Sequence, residues 1–526
     1  MIQKRRLPFQ NKGGFVMKKA LSLFLALLML LSAATALAEE LPIVPEKIEV
    51  TIAVWRHQND ASASFDEKAF VKKAEEDTNI HVNWIEIVSD GDTKLAAMLA
   101  GDMPDAFIGP MSDKIVVSNT GLFADLTDKV ETLVPNFVKL CEENDIDWKT
   151  FLTYPDGHIY SIMGGYWSNP SSETNGVNWI NTAWLKELGL EMPTTAEELH
   201  TVLAAVKKAK PDSIPLDFCQ SHYAAEFWNL TSMWGIPGFV LLKDGKAYPT
   251  VNTDAFYDAL TTLHAWMEEG LINPEGFTQT DSQYNSNLDS MKVCLFCGWG
   301  PWSYIKDSDN REQYEVMAPV AAEGYTAVWP TKSQSTAIRN NLVINAQSPY
   351  VDEILKWWNY LSDGQGMALF IRNGEEGLTY YLDENGEYQS RNATEEDYIK
   401  FGYEQYANNV GSSTVAASLG LVNYHPLMIE ALPAQPGSNA MIRRLAVNAT
   451  KPFFSDYVPN NFIPAEAQEE FSFATEGLTD FIKNFAATSI VNGLTRADFD
   501  AFVSQLNNYG YDYYVAYYQK RLDNSF

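Results

Sequence analysis

Lys94–Asp128 reads KLAAMLAGDMPDAFIGPMSDKIVVSNTGLFADLTD. Leu95, Met98 and Leu99 recur at helical spacing and mark one apolar face. That helix stops at Gly101, and Asp102-Met103-Pro104 turns the chain. Asp105-Ala-Phe-Ile108 is a short buried strand ending at Gly109, and Asp105 at its mouth reads as structural. Gly121-Leu-Phe then opens into Asp125-Leu-Thr-Asp128. The pattern continues upstream. Ile48, Val50, Ile52 and Val54 alternate with Glu49, Thr51 and Ala53, which predicts a strand. Phe65–Asn79 reads as a helix with Phe65, Ala69 and Ala74 inward, and Ile80, Val82 and Trp84 alternate again. The order β-α-β-α-β predicts a mostly parallel sheet with helices on both faces. Ligands of such sheets sit beyond the carboxyl ends of the strands. That puts Trp55–Asp60 and Gly109–Ser112 at a candidate cleft.

A second α/β region follows. Tyr154–Tyr160 reads as a turn into a strand, and Trp179–Gly189 runs into a helix that ends before Met192-Pro193. Thr195 with Glu198 three residues on has the form of a capping box. Thr253–Glu269 is helical, Asn340–Asn345 is strand-like, and Val351–Leu361 is an aromatic-rich amphipathic helix. The last hundred residues read as helices over Glu466–Ala487, Thr495–Asn508 and Tyr511–Asp523. No repeat or low-complexity tract interrupts them.

Composition bounds the function. The 526 residues are 46% hydrophobic and 20% charged, enough for at least two domains. Net charge is −30, and −36 beyond residue 38, because the first 38 residues hold six positive charges and no acid. Such a chain repels phosphate, which excludes nucleic acid and anionic lipid as partners through a general field. Lys18-Lys19, the apolar run Ala20–Leu31 and the A-x-A ending at Ala38 form a secretory signal peptide. The run is too short to span a bilayer, which takes about 20 apolar residues. Met17 precedes the lysine pair and is an alternative start. Residues 1–38 therefore read as leader and 39–47 as a linker rich in Glu and Pro.

Catalytic and metal signatures are missing. There is no H-E-x-x-H, G-x-S-x-G, Walker A or G-x-G-x-x-G motif, and the seven histidines are scattered. Cys141, Cys219, Cys294 and Cys297 read as buried free thiols. Cys294 and Cys297 lie three apart in a strand, where they face opposite ways, and no second C-x-x-C completes a zinc site. The aromatic residues carry more information. Many of the 14 Trp and 26 Tyr stand beside Gly, Pro or Asn in loops. Aromatic faces stack on the C–H face of a pyranose while Asn, Asp, Glu and Arg hold its hydroxyls, giving an apolar cleft with a few placed polar groups. Helical Trp184, Trp266, Trp357 and Trp358 read as packing. Loop residues at strand ends, such as Trp55, Trp167 and Trp299, are ligand candidates.

Lys94–Asp128 closely resembles the first domain of extracellular solute-binding proteins of ABC importers, of the large sugar-binding kind, where "LaaGdlPDi" leads to "G-f-aDLt". Further motifs follow in the family's order. Asp156–Ile162 is similar to its "DGkiYaiP" strand, and Trp179–Leu199 to its "dWLdkLGLevPtTldEl" segment. Trp266–Pro274 is similar to "w-eGLidPe", Lys292–Trp299 to the "gw" strand, Asn373–Leu378 to the "G-EG" turn, and Leu494–Val503 to the closing pattern.

The resemblance implies an α/β fold of the two-domain periplasmic-binding-protein type. Each domain would hold a mixed, mostly parallel sheet flanked by helices, with a helical C-terminal region. Residues 48–155 and 295–365 would form the first domain, and 156–294 and 366–526 the second, more helical one. A ligand would bind between them and close the hinge. Contacts carried over by resemblance are Trp55, Arg56, His57, Trp167, Asn169, Trp299, Trp302 and Glu376. Glu226 and Trp228 join them from the loop-rich part of the second domain.

The implied function is a secreted, monomeric, non-enzymatic binding component that passes a carbohydrate, an oligosaccharide in particular, to membrane permease subunits. No cofactor is implied. A secreted lyase or hydrolase, or a binder of peptides or other solutes, is the competing reading. Two departures from the family pattern matter. Glu39 follows Ala38 where lipoprotein members carry a cysteine, so no lipid anchor is implied. Lys208–Leu216 is too short and too poor in oxygen ligands for the calcium loop of some members, so no metal is expected.

Overall fold

The computed structural model describes residues 41–526 apart from 57–59, 61, 144–145, 166–173, 332–337, 365, 387, 392, 404–412, 422–438 and 460–461. The leader expected over residues 1–38 lies outside the described residues. Among those described, no helix is long and apolar enough to cross a membrane.

Two sheets organise the chain. The first contains β1 (Ile48–Trp55), β2 (Ile80–Ile87), β3 (Ala106–Met111) and β4 (Ser161–Gly164). The second contains β5 (Val177–Asn181) and β6 (Ile214–Asp217). A hairpin, β7 (Val240–Lys243) and β8 (Lys246–Pro249), follows. Then β9 (Val293–Gly298) and β10 (Tyr314–Met317) complete the second sheet, and β11 (Ile338–Ile344) completes the first. The strand orders are β2-β1-β3-β11-β4 and β10-β5-β9-β6.

In the first sheet β1 pairs in parallel with β2 and β3, while β11 runs antiparallel to β3 and β4. In the second only β6 and β9 are parallel. The sheets are therefore mixed, with a smaller parallel share than expected. The β-α-β signal was confined to residues 48–108, and the returning strands join antiparallel from far along the chain.

β1 shows why the core forms where it does. Val50, Ile52 and Val54 face one apolar layer with Phe70, Ala74 and Ile80. Ala53 faces a second layer with Leu95 and Phe107. A central strand covered on both faces needs apolar residues on both, and past Thr51 it has them. Helix Ala69–Thr78 covers one side and helix Gly91–Ala100 the other. Asp105 ties this lobe together. Its carboxylate accepts the Thr51 N–H at 2.8 Å and the Ser348 hydroxyl at 2.6 Å.

The expected domain boundaries shift. β4 bonds to β11 in the first sheet, so residue 156 is too early for the first crossing. β9 is flanked by β5 and β6 and belongs to the second sheet, so the chain returns to the first lobe only between Met317 and Ile338. Met367, Ile371, Val415, Ala416, Leu419 and Leu421 pack into the first core, although residues beyond 366 were expected in the second. A third crossing then leads to helix Asn439–Thr450, whose Ala446 and Val447 join the second lobe's core.

Local signals fared better than boundaries. The Thr195 hydroxyl accepts the Glu198 N–H at 3.1 Å, starting helix Ala196–Ala209, but the Glu198 carboxylate reaches back to Thr194 instead of Thr195. The helix expected over Glu466–Ala487 is two helices, Ala465–Ala474 and Leu478–Asn492, broken where Gly477 adopts φ +75°.

Candidate functional site

β6 and β9 run parallel, so their carboxyl ends open on the same edge of the second sheet, where the first crossing arrives at β5. Beyond β6 lies Phe218–Trp228, and beyond β9 lies Trp299-Gly300-Pro301. These two loops build the candidate site.

Tyr223 is 57% exposed, unusually open for its size. Its ring stacks on buried His222 at 5.0 Å and 19°. His222 is held by Tyr284 and Tyr304, with ring centroids 5.5 and 5.7 Å away. Burial lowers the His222 pKa, and its Nδ1 accepts the Ala224 N–H at 3.2 Å, so the ring is a neutral support. The Tyr304 hydroxyl accepts the Trp299 N–H at 3.2 Å, joining the two loops. Trp299 is half-buried, and the Arg443 guanidinium lies over its ring at 4.1 Å.

Beside Tyr223 is a small cavity of about 80 Å³, lined in part by Thr174, Asn175, Glu226, Asn229 and Thr331. Glu226 is paired with Lys483 at 3.1 Å. Asn229 Nδ2 donates to the Ala224 carbonyl at 3.1 Å. Among the described residues no donor reaches the buried Asn175 Oδ1. The crossing comes so close here that a Cβ on Gly176 would stand 2.2 Å from the Ala224 carbonyl oxygen. An open aromatic face, a half-buried indole, a paired carboxylate and unfilled amide oxygen suit a neutral, hydroxyl-rich ligand.

The first lobe offers a different wall. Trp55 at the end of β1 lies against Gly109, whose φ of +134° suits glycine and where a Cβ would sit 2.8 Å from the indole. Arg56 turns inward. It donates to Glu86 at 2.8 Å, to the Ser62 carbonyl at 2.6 Å and to the Asp60 carbonyl at 3.2 Å. Asp60 in turn meets Lys68 at 2.6 Å, with neither side chain exposed. Burial opposes the Asp60 charge, but hydrogen bonds from Lys68 and Ser62 outweigh it and hold the carboxyl below its usual range. Arg56 is thus a brace of the loop after β1, placed by Glu86, which stands opposite Val54 in the ladder.

The other sequence candidates divide. His57, Trp167 and Asn169 lie outside the described residues. Glu226 lines the cavity in the loop after β6, and Trp299 stands in the loop after β9. Trp228 touches the cavity but is only 6% exposed, and its ring packs on Phe227 at 4.2 Å and Phe239 at 5.2 Å. Trp302 packs edge-on against Trp179 at 6.0 Å. Glu376 is exposed beside a hairpin and accepts the Leu382 N–H at 3.3 Å. Tyr223, Thr174, Asn175, Asn229 and Arg443 were not anticipated. Tyr223 alone carried a signal, as an aromatic in a loop just beyond a strand.

Comparison with known proteins bears on the fold and the family. The profile of the bacterial extracellular solute-binding proteins matches residues 58–368. The fructooligosaccharide ABC transporter substrate-binding protein FusA of Streptococcus pneumoniae is 25% identical over 498 residues, 87% of each chain. The lipoprotein LipO of Bacillus subtilis is 22% identical over 319 residues, 58% of this chain and 62% of its own. Among solved structures, FusA in complex with kestose superposes with a TM-score of 0.74 at 22% identity, covering 91% of this chain and 99% of that one. A solute-binding protein from Bifidobacterium longum infantis described as HMO-binding and ABC-transporter associated gives 0.73 at 22% identity, with the same coverage. The two-sheet fold is theirs, and the chain belongs to the bacterial extracellular solute-binding proteins.

Proposed function

We propose that this protein is the extracellular substrate-binding component of an ABC importer and captures an oligosaccharide at the edge where β6 and β9 end. The observation that carries the reading is the exposed Tyr223, stacked on His222 and lining a cavity with Thr174, Asn175, Glu226 and Asn229, with Trp299 linked to the same cluster through Tyr304. Two aromatic planes accept successive sugar rings, and the amides and carboxylate take their hydroxyls. The likeness to FusA over 87% of both chains supports a fructooligosaccharide as the first ligand to try.

Capture needs no covalent step. The first lobe closes over the bound sugar, and the closed form binds it more tightly than the open one. The Lys18–Ala38 signal sends the chain outside, where it serves as a monomer and delivers its ligand to the permease subunits.

The test is a thermal-shift screen of the secreted chain against oligosaccharides, kestose included, and against peptides. We expect melting to rise with an oligosaccharide, confirmed by calorimetry. A rise with peptides and none with any carbohydrate refutes the reading.

A further inference from the structure

Helix Asn439–Thr450 begins just after the third crossing, and its Arg443 is 1% exposed. One guanidinium nitrogen donates to the Trp299 carbonyl at 2.9 Å, and another to the Thr174 carbonyl at 2.8 Å. The same planar group covers the Trp299 ring. Thr174 is itself a hub. Its hydroxyl receives the Trp329 Nε1–H at 3.1 Å and lies 3.0 Å from the Pro330 carbonyl, to which it donates. Trp329 N–H donates to the Phe453 carbonyl at 2.7 Å, and the Thr331 and Ser455 hydroxyls meet at 2.5 Å. Among the described residues, the second-lobe ends of these three crossings therefore meet in one knot, and the Trp299 seat is bolted to it through Arg443.

We propose that Arg443 is a positioning residue for ligand capture, fixing the plane of Trp299 and tying that seat to the segments that cross between the lobes. This rests on the reading of Trp299 as part of the sugar site. A guanidinium is always charged, forks to two carbonyls at once and lies flat on an indole, and one group does all three here. With one indole face held, the ring keeps a single plane for a sugar to meet, so less ordering remains to be done on binding. Because the same cation grips Thr174, force on the seat is transmitted to the crossing segment beside it.

Lysine retains the charge but neither the fork nor the flat face. In the secreted chain, Arg443→Lys should weaken kestose binding by roughly 10-fold in calorimetry. It should also reduce the ligand-induced compaction seen by small-angle X-ray scattering, with melting of the ligand-free protein little changed. Arg443→Met should lose more affinity. Should it not fold, Arg443→Lys decides. Trp299→Ala separates the two levels of the argument. If it loses binding while both Arg443 variants keep wild-type affinity and compaction, the positioning role is overturned and the seat stands. If Trp299→Ala keeps full affinity, or the wild-type protein ignores kestose and every other oligosaccharide, the seat falls and the inference with it.

Discussion

Replacing Lys68 by methionine tests the loop that carries Trp55 and Arg56 toward the cleft. The Lys68 ammonium is fully buried, 2.6 Å from Asp60 and 2.5 Å from the Ser62 hydroxyl. Methionine keeps the bulk of the chain and removes the charge. Asp60 is then left buried with Arg56 Nε at 3.5 Å, and with the Ser62 N–H and hydroxyl at 3.1 and 2.8 Å. Breaking a buried pair by removing one partner costs roughly 3–5 kcal/mol. The remaining donors put this case near the lower end, about 3 kcal/mol. For a unit of 150–250 residues that is a fall in melting temperature of about 6–12 °C.

Urea unfolding followed by tryptophan emission measures it, since Trp84 stands 5.0 Å from Phe65 in the same corner. The sign of the pH dependence follows from Asp60. Its folded pKa is depressed, so its contribution is present above the unfolded value, about 3.9, and is lost as pH falls through the folded one. The deficit of Lys68→Met should therefore hold steady from pH 6 to 8. Adding Asp60→Asn should recover much of the loss, because no unpaired charge remains. A deficit under about 1 kcal/mol, or a double variant as unstable as the sum of the singles, refutes the argument.

The other predictions concern the site's supports. Trp228→Ala should cost about 3–5 kcal/mol in urea unfolding, as for a core aromatic, because the ring packs on Phe227, Phe239 and Phe256. Gly109→Ala should cost roughly 1–3 kcal/mol from backbone strain and shift the Trp55 emission, since the new methyl meets the indole. His222 has a lowered pKa from burial, so its stabilising contribution is present above the unfolded value of about 6.5 and is lost as pH falls below it. Melting measured from pH 7.5 to 5.0 should fall more steeply in the wild type than in His222→Gln.

What was legible in the sequence was local. Gly101, Pro104 and the apolar spacing around them placed a helix, a turn and a strand, because each signal acts within a few residues. Thr195 marked a helix start for the same reason. Gly477 was equally local and overlooked, and there a helix expected to be continuous breaks. Ladder partners were not legible. Val293–Gly298 pairs with residues near 178 and 215, and nothing in its apolar run says which sheet it joins. A fully buried strand looks alike in either lobe, so the expected boundary at 295 split the wrong way. Ser161–Gly164 misled in the mirror sense, pairing with strand partners 174 to 182 residues further on.

The site shows where residue type stops being informative. Trp228 and Trp299 carried similar cues, each an aromatic in a loop-rich stretch, yet one ring is enclosed by phenylalanines and the other stays half-open. The difference is made by what arrives from elsewhere. Phe239 and Phe256 close over Trp228, whereas among the described residues the planar Arg443 cation lies over Trp299. That cation comes from 144 residues along the chain and grips a carbonyl 269 residues back. An arginine in a helix otherwise reads as a solvated face, yet Arg443 is 1% exposed. Through Arg443 and Thr174 this seat is therefore tied to the described ends of segments that cross between lobes. A binding protein that must feel its ligand and close has reason to tie its seat there, because contacts confined to one lobe would hold a sugar without moving anything.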